Sequence, residues 1–409
     1  MKKKLLVTGS TFPRWEGDTE PRFVLDLSEA LTEYYDVTVL VPAAPGAADQ
    51  EIMNGVKVIR YHYFPIHKWE TLCYPGAIVP RIREKKIRAL LVPFLCISLY
   101  WHLFRMLKDY DMVHAHWLIP QGIVQSFFKT PYIVTGHGGD VTSLNHGILK
   151  KLKQRCLKKA SFITAVSEPF ADAIQVLWKN HKTSVISMGC NTANFSPSYR
   201  KENCFSQGSR KVILFVGRLA EKKGVTYLID AMNYVDARLV IVGSGPLESE
   251  LRDQAKPLRE KIQFLGARTH EELKTIYASA DVFAAPSVTA KDGDKEGFGL
   301  VILEAMASGL PVAASRSGGI VDIIRDGENG LLSDERNVWQ LADNLSTLLD
   351  DAALYKKLSE NALETARQFD YEVIAEKYAQ LFEKGQTGVL ENERDCTELH
   401  LSEQKPCRR

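Results

Sequence analysis

The chain has 409 residues, 45% apolar and 25% charged, an ordinary balance for a soluble globular enzyme of about two domains. Fifty-two Lys and Arg against 50 Asp and Glu leave a net charge of +2, so no global basic field points to nucleic acid. The seven cysteines are scattered, odd in number and lack a C-x-x-C pair, which favours reduced thiols in a cytosol over a disulfide or zinc framework.

The apolar run after Met1-Lys2-Lys3-Lys4 breaks at Gly9, which suits a first strand over residues 4–9 better than a signal segment. A polar loop over 10–21 follows, then a helix with apolar spacing at Phe23, Leu27, Ala30 and Leu31, then a strand at 36–42. Strand, helix and strand at this spacing make a βαβ unit, so a parallel sheet covered by helices is expected. The missing G-x-G-x-x-G argues against NAD or FAD. The longest apolar run, 89–101, has 13 residues and contains Pro93, short of the ~20 that span a bilayer. The stretch 90–107 carries His102 and Arg105 and reads as an internal packing helix.

A strand at 112–117 puts His114 and His116 on one face; no third ligand is spaced nearby, so no metal is assigned. The strand at 131–135 runs into Gly136-His137-Gly138-Gly139-Asp140. Glycines around a histidine at a strand's C-terminal end let a ligand approach the backbone; a turn with an incidental histidine is the alternative. A strand at 161–166 precedes Ser167, an N-cap candidate before Glu168-Pro169. The strand at 183–188 closes the first half, and 192–210 reads as a linker.

The second half restarts the pattern. A strand at 211–216 leads into Gly217-Arg218-Leu219-Ala220-Glu221-Lys222-Lys223-Gly224 and a helix. The strand at 238–242 ends at Gly243-Ser244-Gly245-Pro246, and strands at 261–266 and 281–287 follow. Two sheets of similar build with glycine-rich loops at strand ends suggest a cleft between them. Residues 352–384 are helical with a break near Phe369-Asp370, and 385–409 read as a disordered tail.

Glu296-Gly297-Phe298-Gly299-Leu300 follows the 281–287 strand and opens an apolar helix stopped by Gly309 and Pro311. A glycine-flanked turn feeding a helix start leaves N–H groups free for a phosphate. Glu296 lies just outside the helix; Glu304 lies ~7 Å along its axis. Two acids flanking an anion cradle suit a nucleotide sugar. An amphipathic helix whose acids are a cap and a solvated charge is the competing reading. Asp292-Gly293-Asp294 has the letters of a metal motif but lies in a polar loop.

With Gly217-Arg218…Lys223-Gly224, Gly243-x-Gly245-Pro246, Glu296-x7-Glu304 and His137-Gly138-x-Asp140, the sequence resembles a GT-B fold retaining glycosyltransferase of family 4 over about residues 4–384. The resemblance implies an α/β chain of two Rossmann-like parallel-sheet domains facing across a cleft. It places an acceptor-side domain at 1–191, a nucleotide-sugar domain at 192–370, and a crossover helix at 371–384 returning to the first domain. It implies that Arg218 and Lys223 bind the donor diphosphate, Glu304 the ribose, and Glu296 the sugar hydroxyls. Backbone N–H groups of Phe298, Gly299 and Leu300 join those contacts, Gly243 lines the donor site, and residues near Gly266 to Arg268 border the base. His137 contacts the transferred sugar, Asp140 stands on the acceptor side, and Gly17 lies near the phosphates. Arg14 and Trp15 belong to the acceptor side, in a loop that departs from the family's adjacent glycines.

The implied chemistry is front-face transfer of a hexose from a UDP- or GDP-sugar to a glycan or lipid-linked acceptor, with no metal and no other cofactor. Cell-surface polysaccharide or glycolipid synthesis is the implied setting. An epimerase, a phosphorylase and a non-catalytic nucleotide-sugar binder are the alternatives. Two basic patches, one of Arg81, Arg83, Lys85, Lys86 and Arg88 and one of Lys150, Lys151, Lys153, Arg155, Lys158 and Lys159, suit peripheral contact with an anionic membrane at its cytoplasmic face, or are solvated faces.

Overall fold

The computed structural model describes residues 2–18, 20–179, 182–202, 204–205 and 210–387. The chain divides into two compact units, Met1–Ser187 with the residues from Glu372 onward, and Met188–Tyr371. Most of the segment expected to be a disordered tail, 388–409, lies outside the described residues; the last helix runs as Tyr371–Thr387.

The first unit holds eight strands among the described residues: β1 (Lys3–Thr8), β2 (Tyr35–Pro42), β3 (Gln50–Met53), β4 (Val56–Tyr61), β5 (Met112–His116), β6 (Tyr132–Gly136), β7 (Phe162–Ala165) and β8 (Thr183–Val185). Their order is β3-β4-β2-β1-β5-β6-β7-β8. All neighbours pair in parallel except β3, which runs antiparallel to β4. The central strands are largely buried because helices cover both faces; Leu5, Leu6 and Val7 of β1 are wholly buried. The β3–β4 hairpin went unassigned in the sequence reading, although Asn54-Gly55 is its signal. Both residues take positive φ, 48° and 80°, as a two-residue hairpin turn of matching twist requires.

Ser167 does occupy the N-cap of Glu168–Leu177, yet no capping bond from its hydroxyl forms among the described residues. Pro169 removes one of the N–H groups a cap would serve. The final helix packs its aromatic face on β5, with the Tyr378 ring 4.6 Å and the Phe382 ring 5.7 Å from that of His114.

The second unit holds β9 (Val212–Val216), β10 (Arg238–Val242), β11 (Ile262–Gly266), β12 (Val282–Ala285), β13 (Val312–Ser315) and β14 (Leu331–Ser333). They form a fully parallel sheet ordered β11-β10-β9-β12-β13-β14. The expected linker packs on this unit instead of standing free. Lys201 N–H donates to Ser279 Oγ at 3.1 Å, and the Arg200 guanidinium reaches Ala280 O at 3.0 Å and Asp281 at 3.2 Å. A polar, proline-bearing composition reads as linker, but these donors find acceptors at the sheet's N-terminal edge.

Strand order reverses at β1/β5 in the first unit and at β9/β12 in the second. In open parallel sheets the loops at such a reversal diverge to opposite faces and leave a crevice at the strands' C-terminal ends. The glycine-rich segments singled out from the sequence lie in the loops after β6, β9, β10 and β12.

Candidate active site

In the second unit the loop after β9 makes one turn at Glu221–Lys223 and closes at Gly224. That turn aims Lys223 Nζ at Glu296 Oε2, to which it is hydrogen-bonded. Glu296 is 9% exposed. Its Oε1 accepts Gly297 N–H at 3.2 Å, and Ser287 Oγ lies 3.5 Å from Oε2. Burial pushes this carboxyl up, but the Lys223 and Lys222 ammonium groups outweigh it and hold the pKa below the usual carboxylate range. Lys223, Ser287, Glu296, Gly299 and Ile302 line one pocket. The helix that the pocket meets is Leu300–Ala307, with Gly299 as N-cap at φ 103° and no side chain capping it. An L-side chain is strained at that φ, and without a cap the dipole end is open to an anion.

Arg218 is exposed, and among the described residues its guanidinium has no hydrogen-bond or ion-pair partner. The neighbouring backbones touch: a Cβ on Gly243, whose φ is 130°, would stand 1.9 Å from Gly217 O. Only glycine there lets the β9 and β10 loops meet.

Glu304 is held by a group the sequence reading missed. Tyr277 Oη donates to Glu304 Oε2 at 2.8 Å. Tyr277 is itself fully buried, with the Phe195 ring set edge-on at 5.5 Å. In the sequence Tyr277 is one more apolar position of the helix His270–Ser279, so nothing marks it.

The other residues singled out from the sequence are placed as follows. The Phe298 ring is buried against Phe369, with centroids 5.7 Å apart, so only its backbone remains for a ligand. Arg268 pairs with Glu272 at 3.0 Å, beside the capping box Thr269/Glu272, on the β11 loop two strands away from β9. Asp292 and Asp294 are exposed, and Asp294 pairs with Lys222 at 3.2 Å.

In the first unit β5 and β6 bring three imidazoles together. His114 and His116 share a face, with ring centroids 4.2 Å apart. His116 Nδ1 and His137 Nε2 are 3.0 Å apart and share one proton. Burial drives His116 down to about 3. Burial, then the neighbouring His116, holds His137 well below the ordinary imidazole range. His137 is therefore neutral near pH 7, and its Nδ1 has no partner among the described residues. Asp140 accepts from His137 N–H at 3.1 Å, Gly138 N–H at 2.9 Å and Leu118 N–H at 2.8 Å. Its carboxylate is thus committed to holding the His137 turn.

Lys153, expected in a surface basic patch, is fully buried, its ammonium on Ser143 O and Asn145 Oδ1. A lysine within a basic run reads as surface charge; here it ties down the segment that follows Asp140.

The loop after β1 is ordered by charge. Arg14 forms a two-pronged pair with Asp18 at 2.9 and 2.6 Å and lies over the Trp15 ring at 4.3 Å. Arg60, buried on β4, donates to Pro13 O and Arg14 O; its spacing gave no hint of this. Gly17 takes φ 78° at an open turn.

A separate cluster, His62, His67 and Glu70, offers three ligand atoms within 4.8 Å of one another. The two rings are stacked 3.6 Å apart at 8°, so their in-plane lone pairs run parallel instead of converging on one ion. Glu70 already accepts from Phe64 N–H at 2.9 Å and bonds His62 at 2.6 Å.

Two parallel-sheet α/β units, each with ligand-ready loops at a strand-order reversal, define a GT-B fold. The model of "Glycosyltransferase Family 4" matches residues 21–194, and that of "Glycosyl transferases group 1" matches 200–365. The D-inositol 3-phosphate glycosyltransferase of Corynebacterium efficiens is 30% identical over 312 residues, 68% of this chain and 72% of that one. Among solved structures, sucrose-phosphate synthase from Thermosynechococcus elongatus superposes with a TM-score of 0.75 at 24% identity, covering 95% of this chain and all of the other. Anabaena Alr3699/HepE in complex with UDP and glucose gives 0.70 at 20%, covering 93% and 100%. The chain belongs to the family 4, group 1 glycosyltransferases and is a transferase.

Proposed function

We propose that the chain is a retaining, metal-independent hexosyltransferase that moves a hexose from a UDP- or GDP-sugar to a glycan or lipid-linked acceptor in cell-surface polysaccharide or glycolipid synthesis. The observation that carries this reading is the buried Lys223–Glu296 pair beside the uncapped start of Leu300–Ala307. The complex of Anabaena Alr3699/HepE with UDP and glucose supports a nucleotide sugar as the donor.

On this reading the diphosphate takes Lys223 and Arg218, together with the N–H groups at Gly299 and Leu300. Glu296, released from Lys223, accepts hydrogen bonds from the sugar hydroxyls. Glu304, oriented by Tyr277, takes the ribose hydroxyls. As the glycosidic bond breaks, negative charge grows on the β-phosphate. Fixed positive groups aimed there stabilise the transition state more than the ground state, supplying what a divalent ion supplies in other transferases. The departing phosphate takes the acceptor's proton on the same face, which retains the anomeric configuration. Neutral His137, its turn fixed by Asp140, offers a hydrogen bond to the transferred sugar without adding a charge.

Thermal stabilisation by UDP and by GDP, followed by release of the nucleoside diphosphate from matched UDP- and GDP-sugars, tests the reading. One nucleotide should stabilise the protein, and its sugar conjugates should be turned over. Stabilisation without release under any acceptor would instead identify a non-catalytic binder, and no stabilisation by either nucleotide would remove the donor site.

A further inference from the structure

Residues Lys86–Asp109 form a continuous helical stretch of 24 residues with mean hydropathy 1.7 over its apolar window, only 22% of it buried. The expectation of an internal packing helix holds for one face alone. Leu95, Leu99 and Leu103, four residues apart, are wholly buried, and Ser98 Oγ donates to His62 O at 2.6 Å. The opposite face carries Ile87, Leu90, Phe94, Ile97, Trp101 and Phe104, between 45% and 73% exposed. Their spacing alternates three and four residues, so they form one exposed stripe along the helix, with Phe94 edge-on to Phe64 at 4.9 Å. An apolar stripe this long facing water marks an interaction surface.

The charge around the stripe selects its partner. Residues 81–109 hold seven Lys and Arg and two acids: Asp109 at the far end, and Glu84, which pairs with Arg81 at 2.7 Å and Arg88 at 2.9 Å. Lys85 and Lys86 stand exposed at the start of the stripe, and Arg105 and Lys108 at its end. A second copy of this chain fits poorly: packed parallel or antiparallel, two such stripes bring basic ends together. Anionic lipid headgroups match both ends, while the aliphatic and aromatic side chains between them suit the boundary with the acyl chains. The length would allow a bilayer span. Spanning would, however, strip the three inner leucines from the core, so the helix lies in the plane of the surface.

We propose that the outer face of Lys86–Asp109, with its basic borders, is an in-plane docking surface for an anionic phospholipid bilayer. None of these side chains belongs to the candidate active site, so the proposal stands independently of the donor reading.

The test is co-sedimentation of the full chain with vesicles of phosphatidylcholine alone and of phosphatidylcholine mixed with phosphatidylglycerol. The protein should partition to the anionic vesicles and much less to the neutral ones. Ile97→Glu with Phe104→Glu should weaken that partition by more than about tenfold, since each change removes an exposed apolar group that would enter the bilayer boundary and adds charge of the lipid's sign. Lys85→Glu with Lys86→Glu, an exposed pair that leaves the helix packing alone, should weaken it comparably even if the first variant fails to fold. Absence of binding to anionic vesicles would overturn the proposal. So would binding that neither variant reduces, or a parent dimer that Ile97→Glu with Phe104→Glu converts to monomers while vesicle binding is unchanged.

Discussion

Lys223→Ala separates the electrostatic role of this lysine from its structural one. In the folded protein Lys223 neutralises Glu296, and their side chains are only 15% and 12% exposed. Removing one partner of a fully buried pair costs about 3–5 kcal/mol, because the other charge is left uncompensated. Here the residual exposure and the nearby Lys222 reduce that to about 2–3 kcal/mol. Glu296→Gln in the same chain removes the orphaned charge, so the double variant should recover to within about 1 kcal/mol of the parent. Turnover should behave differently. A fixed positive group on the developing phosphate charge is worth about 10²–10³ in rate, and the amide cannot restore it, so both variants should stay that far below the parent. Urea melts give the stability, and nucleoside diphosphate release under saturating donor gives kcat. A double variant that is stable and also turns over at near-parent rates would refute the assignment of Lys223 to the phosphate.

Turnover should survive exhaustive chelation; complete loss that added divalent ion restores would contradict the metal-free proposal. Tyr277→Phe removes one hydrogen bond that orients Glu304 and should raise the donor KM roughly three- to tenfold with kcat little changed, a fraction of the about 1.5–3 kcal/mol that a bond to a charged group is worth, because Glu304 itself remains; a fall in kcat alone would place Tyr277 elsewhere in the mechanism. Gly243→Ala forces a methyl to 1.9 Å from Gly217 O at φ 130° and should cost more than about 2 kcal/mol in a urea melt, whereas a neutral outcome would mean that the β9 and β10 loops separate freely. His116 carries its proton in the unfolded chain below pH 6.5 but in the folded chain only below about 3. The parent therefore loses about 1.4 kcal/mol per pH unit through this group as pH falls across that window. Melts from pH 6.5 to 4.5 should show a shallower slope in His116→Gln. Asp26, raised to about 7 by burial, acts in the opposite sense in both proteins and cancels from the difference; equal slopes would show that His116 titrates normally.

The alternating sheets were legible because a strand covered on both faces carries an apolar run, as residues 5–7, 212–216 and 239–242 do. The hairpin β3–β4 was missed because Gln50-Glu51-Ile52-Met53 is a mixed edge strand, even though Asn54-Gly55 gave its turn. Lys223, Glu296 and His137 stood out by their glycine neighbours. Tyr277 and Arg60 did not, since each serves groups distant in sequence, and Lys153 did not, since it stands in a basic run that reads as surface charge.

From the sequence alone came the two-fold repetition of a parallel α/β plan and the loops that present backbone to a ligand. Both follow from local rules, namely apolar runs, glycine where φ is positive, and an acid near a helix start. Only the tertiary structure paired Lys223 with Glu296 and Tyr277 with Glu304, joined His116 to His137, and turned half of an apolar helix outward. Those outcomes depend on which strands lie side by side and which faces remain uncovered, and spacing along a chain does not encode either.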